Sequence, residues 1–142
     1  MTPLVVDASV AFKWLVPAAS EPDVPAAKKL LLDHHEGRCQ LNVPALLYYE
    51  VGNILLCGRA RPSAAEVESA LLDLFALPLL VAAPDAVQAR TCAGLAARFG
   101  LTFYDGAYVT LAEALDCPLV TADRPLFRKA SPTGRMRLLG AP

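Results

Sequence analysis

The sequence predicts an α/β fold: a parallel sheet of four strands, with a fifth at the edge, covered by helices on both faces. Three observations predict it. Short apolar runs alternate along the chain with stretches of helical character, the pattern of repeated βα units. The runs are apolar throughout, as in Leu4-Val5-Val6 and Leu119-Val120, which is how strands buried on both faces read. Helix punctuation falls between them, with a capping box at Ser63-Ala64-Ala65-Glu66 and a terminating glycine at Gly100.

Leu4 to Val6 reads as the first strand, and Ala8 to Leu15 as a short helix ended by Pro17. The proline- and acid-containing stretch Ala18 to Pro25 is a loop leading to a helix over Ala26 to His35, whose His34 and His35 form a solvated end. Gln40 to Val43 is the second strand. Pro44 suits the first position of a helix running to about Leu56, because its missing N–H is not needed there. The Ser63 capping box opens the next helix, and Pro78 follows its end. Leu79 to Ala82 is the third strand, and Pro84-Asp85 starts a helix that stops near Phe99. Tyr104 to Leu115 is helical and apolar nearly all round, so it is expected to be buried. Leu119 to Thr121 is the fourth strand, followed by a helical turn around Pro125 to Phe127 and an edge strand at Arg137 to Leu139.

The 142 residues make one domain, 1–142, large enough for a real core. The hydrophobic fraction is 55%, yet the longest apolar run, Leu74 to Ala83, is broken by Pro78 and falls short of the ~20 residues of a spanning helix. The excess apolar surface therefore points to a partner interface. No basic-then-apolar leader opens the sequence, so a cytoplasmic protein is expected. Cys39, Cys57, Cys92 and Cys117 lack metal-ligand spacing and read as free, mostly buried thiols. Charge is unevenly spread. Up to Asp123 the chain carries fourteen acids against eight bases; beyond it come Arg124, Arg128, Lys129, Arg135 and Arg137 with no acid. A basic tail beside an acidic pocket suits a polyanion lying across the site, although a solvated tail reads the same way.

Four acids stand inside or at the end of apolar segments: Asp7, Glu50, Asp105 and Asp123. A buried carboxylate is costly unless paired, hydrogen-bonded or metal-bound, and three of the four have no basic neighbour in the chain. Asp7 and Asp123 end strands, where parallel-sheet folds build their sites. Asp105 opens a helix, at its positive dipole end. Glu50 lies mid-helix on the face of Leu46, Leu47 and Ile54, where no capping role exists, and Asn53 is expected to flank it. Singly, Asp7, Asp105 and Asp123 read as helix caps or turn residues; jointly, the four read as a site for a divalent cation. Two like charges ~4 Å apart repel by ~4 kcal/mol at an effective dielectric near 20. Mg²⁺ or Mn²⁺ removes that cost and prefers oxygen ligands. Ser9 and Thr121 flank the cluster and either bind a metal-held water or satisfy backbone groups. A serine triad has no histidine to complete it, and no glycine-rich loop precedes a helix to cradle a nucleotide. A phosphatase with Asp7 as covalent nucleophile wants a second acid two residues on, where Ser9 stands. Trp14 is either core or partner surface.

Val5-Val6-Asp7-Ala8-Ser9-Val10, followed by Lys13-Trp14-Leu15, resembles the opening motif of PIN-domain ribonucleases, especially VapC-type toxins of toxin–antitoxin pairs. Glu50-Val51-Gly52-Asn53-Ile54-Leu55 is similar to their second motif, Leu101 to Ala112 centred on Tyr104-Asp105 to the third, and Thr121-Ala122-Asp123 with Phe127 to the fourth. The resemblance covers essentially the whole chain. One departure is Gly106, where the family more often has alanine; it is expected to loosen the helix start by up to ~1 kcal/mol. The resemblance implies a Rossmann-like α/β/α layering and Mg²⁺- or Mn²⁺-dependent endonucleolytic cleavage of RNA. Asp7, Glu50, Asp105 and Asp123 would be catalytic and metal-holding, with Ser9, Asn53 and Thr121 auxiliary. It also implies an antitoxin partner lying in an apolar groove and, commonly, a homodimer. Arg124, Arg128 and Lys129 are the candidates to hold the RNA backbone. The alternative is a module that binds RNA or a partner without cutting.

Overall fold

The computed structural model describes residues 1–142. Five strands, β1 (Thr2–Val6), β2 (Cys39–Pro44), β3 (Leu80–Ala82), β4 (Leu119–Thr121) and β5 (Met136–Leu138), form one sheet in the order β3-β2-β1-β4-β5. Every pairing is parallel, with Leu4 opposite Leu41, Val6 opposite Val120, Val43 opposite Val81 and Val120 opposite Arg137. The chain winds outward from β1 to β3, then crosses back to β4 and β5. The carboxyl ends of β1 and β4 therefore flank the point where the winding reverses, the usual place for a crevice in an open parallel sheet.

Seven α-helices cover the sheet: α1 (Ala8–Ala11), α2 (Val24–His35), α3 (Leu46–Leu56), α4 (Ala64–Phe75), α5 (Ala86–Phe99), α6 (Phe103–Ala114) and α7 (Arg124–Ala130). Helix α3 packs on α1 and α4, while α5 packs on α6, which lies across β1, β2 and β4. This is the predicted α/β/α layering. Val5, Val6, Leu41, Val43, Leu119 and Val120 are almost wholly buried and belong to one continuous core. The predicted caps form. Ser63 Oγ accepts from the Glu66 amide at 3.2 Å, and Glu66 Oε2 accepts from the Ser63 amide at 2.7 Å. Gly100 ends α5 with φ of 65°, a backbone conformation that favours glycine.

Several elements depart from expectation for local reasons. Pro44 is the last residue of β2, not the first of a helix: it sits opposite Ala82, and the next amide, from Ala45, donates to the Ala82 carbonyl at 3.0 Å. A proline at the end of a strand removes no bond the ladder needs. The helix after β1 holds α geometry only to Ala11 and tightens to a 3₁₀ turn over Phe12–Leu15. Helix α2 begins at Val24, so Pro25 lies in its first turn instead of the preceding loop. The turn after β4 is a full helix, α7. Helix α6 is buried all round over Tyr108–Ala112, as its apolar sequence predicts, but its first turn is open, leaving Phe103 52% and Tyr104 61% exposed. His34 is not a solvated helix end. Its Nε2 donates to the Pro78 carbonyl at 2.8 Å, and its Nδ1 accepts from the Leu41 amide at 3.3 Å, tying α2 to β2 and to the start of β3. Trp14 is core, with its indole N–H donating to the Ala27 carbonyl at 2.9 Å. Cys39, Cys92 and Cys117 are buried free thiols, and Cys57 is an exposed one.

Candidate active site at the carboxyl end of the sheet

Asp7 follows the last residue of β1 and is 5% exposed. Its backbone is extended and the chain turns at once into α1, so the carboxylate folds over the helix start. Oδ1 accepts from the amides of Ser9 at 3.1 Å and Val10 at 3.4 Å. Two hydroxyls complete its shell: Ser9 Oγ donates to Oδ1 at 2.5 Å, and Thr121 Oγ1 donates to Oδ2 at 2.5 Å. The hydroxyls are themselves held from behind, because the Ala122 amide donates to Ser9 Oγ at 2.8 Å and the Asp123 amide to Thr121 Oγ1 at 3.0 Å. The hydroxyls thus satisfy backbone groups and lock Asp7 between β1 and β4. Burial pushes the Asp7 carboxyl up from 3.8 to about 6, against the lowering effect of Ser9, Thr121 and the Val10 amide, and the charge of Asp123 adds to the rise.

The other three acids reach the same place from different elements. Asp123 follows β4 by one residue and caps α7, its Oδ1 accepting from the Leu126 amide at 3.0 Å. Asp105 does not cap α6; Thr102 does, its Oγ1 accepting from the Asp105 amide at 3.0 Å, which leaves the Asp105 carboxylate free. Burial raises the Asp105 carboxyl and so does Asp123, while Thr102 and Lys129 pull it back. Glu50 is half-buried on α3, on the face of buried Leu47 and Val51. Burial raises its carboxyl, Tyr108 beside it lowers it, and Asp105 raises it further. An electrostatic chain therefore runs from Asp7 through Asp123 and Asp105 to Glu50, four carboxylates brought from four separate segments. None of them is in a salt bridge.

A PIN-domain family model matches residues 4–131. The chain belongs to the PIN-domain family. No curated protein sequence matches it. Among solved structures, this PIN domain is similar to PAE2754 from Pyrobaculum aerophilum, with 25% identity, a TM-score of 0.65, and 90% of this chain and 86% of that one covered. It is also similar to VapC20 of Mycobacterium tuberculosis, described as a sarcin-ricin loop cleaving toxin, at 14% identity and a TM-score of 0.69, covering 93% of this chain and 95% of that one. A third is VapBC2 of Rickettsia felis, solved bound to a DNA fragment from its promoter, at 13% identity and a TM-score of 0.64, covering 96% of this chain and 97% of that one.

The remaining predicted residues of the PIN domain divide. Asn53 is exposed, its Oδ1 taken by the Cys57 thiol at 3.4 Å, and it makes no hydrogen bond to an acid. Arg124, Arg128 and Lys129 lie on α7, exposed and in no ion pair, and Lys129 is near enough to act on Asp105. The basic tail is not one patch, however: Arg135 is spent on Asp116 at 2.5 Å and Glu113 at 3.5 Å. Two residues of the site were missed from sequence. Thr102 was legible as a hydroxyl three residues before an acid at a helix start. Tyr108 carried no signal beyond its place one turn after Asp105 on an apolar helix.

The fit of a divalent cation rests on the donors present. They are carboxylates and hydroxyls, hard oxygen atoms that suit Mg²⁺ or Mn²⁺. Glu50 Oε1 is buried with no hydrogen-bond partner, an anionic oxygen that a cation would satisfy. As the side chains stand, no three His, Cys, Asp or Glu groups close into a ready-made cage. Ion binding would thus draw the acids inward.

Proposed function

We propose that this PIN domain is an Mg²⁺- or Mn²⁺-dependent endoribonuclease and the toxin of a toxin–antitoxin pair. One observation carries the reading: four unpaired carboxylates from distant segments act on one another at the carboxyl end of the sheet, with α7's three free bases on one flank. The description of VapC20 as a sarcin-ricin loop cleaving toxin supports it, as does the VapBC2 likeness.

Asp7, Glu50, Asp105 and Asp123 would hold the ion. When bound, the cation supplies positive charge that acidifies a water and offsets charge building on the scissile phosphate. Asp7, fixed by two hydroxyls and two amides, sets the position to which the other acids converge. A carboxylate of the cluster accepts the proton of the attacking water. Arg124, Arg128 and Lys129 hold phosphates of the RNA beside the cut, adding affinity with little sequence selection.

Exposed apolar residues support the reading that the chain has protein partners. Leu56, Leu72 and Phe75 lie on the α3–α4 pair. Tyr49, Phe103 and Tyr104 line a groove of about 370 Å³ between α3, α5 and α6. These are the faces to which an antitoxin segment and a second copy of the chain would bind.

The second reading, a module that binds RNA without cutting, is favoured by the acids' failure to close into a cage. Incubation of purified protein with RNA separates the two. Cleavage with Mg²⁺ or Mn²⁺, abolished by chelator and by Asp7→Asn, is expected. Cleavage that persists in chelator would sink the metal mechanism, and binding without any cutting would favour the module.

A further inference from the structure

The floor of the site contains an anomaly that the proposed chemistry leaves unused. Tyr108 is 1% exposed, on the core side of α6, one turn after Asp105. Its hydroxyl has no hydrogen-bond partner, and neither has Glu50 Oε1, the other buried polar side-chain atom so left. The two groups are neighbours close enough to perturb each other as hydrogen-bonding groups do, yet by geometry no well-formed bond joins them. An unmade bond at a buried hydroxyl is destabilising, and a phenylalanine would avoid that cost at nearly the same volume. The fold therefore carries a buried hydroxyl with no well-formed hydrogen bond as the acids stand.

We propose that Tyr108 is a positioning residue: its hydroxyl donates to Glu50 when the acids close on a divalent cation, fixing which Glu50 oxygen faces the ion. The inference rests on the metal reading of the site. Outer partners of this kind orient a ligand's lone pairs, and their removal typically weakens metal binding about 10- to 100-fold. Tyr108 qualifies on three counts. It has a proton to give, since burial and the acids around it keep the phenol protonated. It sits beside the one acid of the cluster whose buried oxygen lacks a partner. And α6, which carries it, also carries Asp105, so one helix movement would set both.

The test is calorimetric titration of Mn²⁺ into four metal-free proteins: wild type, Tyr108→Phe, Glu50→Gln and the double variant, each also melted without metal. Tyr108→Phe is expected to bind Mn²⁺ about 10- to 100-fold more weakly than wild type. It should melt no lower than wild type in chelator. In the Glu50→Gln background the second change should add little, because the hydroxyl has lost its object. Equal Mn²⁺ affinity in wild type and Tyr108→Phe would overturn the role while leaving the metal site intact. A Tyr108→Phe protein that melts well below wild type without metal would assign the hydroxyl to the fold and overturn it too. A wild type that fails to bind Mn²⁺ would remove the metal reading, and this inference with it.

Discussion

Asp7 has to cap a helix and keep a charge in the interior, and the two demands conflict. Capping places it at the mouth of α1, where two amides and two hydroxyls hold it. Burial, the larger effect, raises its carboxyl from 3.8 to about 6. In that window the folded state holds the proton more tightly than the unfolded chain does. The contribution of Asp7 to stability is thus present at low pH and lost as pH rises toward 6, by about 3 kcal/mol in all. Melts in chelator between pH 4 and 8 should show that decline in wild type. Asp7→Asn should flatten it and melt no lower than wild type at pH 7.5, since asparagine caps as well as aspartate. A decline that survives in Asp7→Asn would acquit this carboxylate. At the same scale, the sequence exposed the acids because each broke an apolar run. It hid Tyr108, because a tyrosine in an apolar helix breaks no pattern. For Asn53, three-residue spacing fixes only a rough direction, and its side-chain oxygen is taken by Cys57.

At the scale of elements, the contact of α5 with α6 decides where Asp105 sits. Gly106 was expected merely to loosen the start of α6. Instead it lets the two helices close: a methyl there would meet Cys92 Sγ at 3.0 Å and Ala96 Cβ at 3.2 Å. Alanine would gain about 1 kcal/mol of helix propensity but incur about 1–3 kcal/mol of overpacking. Gly106→Ala should therefore lower the melting temperature or leave it level, and Cys92→Ala should recover part of any loss. A clear rise in the single variant would show that the contact yields freely. Strands β1 and β4 were legible because burial on both faces leaves them apolar, whereas β3 and β5 lie at the sheet's edges and are partly exposed. Pro44 was misassigned because a missing N–H is harmless both at a strand's end and at a helix's start. The sequence pattern cannot choose between those places; the pairing with β3 does.

Across the whole molecule, the layout sets acids against bases around one crevice. The bases after Asp123 looked like a single tail in sequence, but Arg135 folds back onto Glu113 and Asp116. Helix α7 is what keeps free cations near the acids. Removing one phosphate-binding side chain should flatten the salt dependence of single-stranded RNA binding by about 0.7 in log–log slope. The triple change Arg124→Ala, Arg128→Ala, Lys129→Ala should thus reduce the slope by up to about 2, read by filter binding across a salt series with catalytically silent Asp7→Asn protein. An unchanged slope would move the RNA elsewhere. No helix is long and apolar enough to cross a membrane. The exposed apolar faces of α3, α4 and the groove suit protein partners.

The most direct test of the central claim, that these acids form one cation site, is the shift in melting temperature on adding Mn²⁺ at pH 7.5. An ion bound only by the folded state must raise it, by about 2.7 kcal/mol of stability at a roughly hundredfold excess over the dissociation constant. The account predicts a saturable rise in wild type that is blunted in Glu50→Gln, Asp105→Asn and Asp123→Asn alike. No rise, or a rise indifferent to all three substitutions, would contradict it.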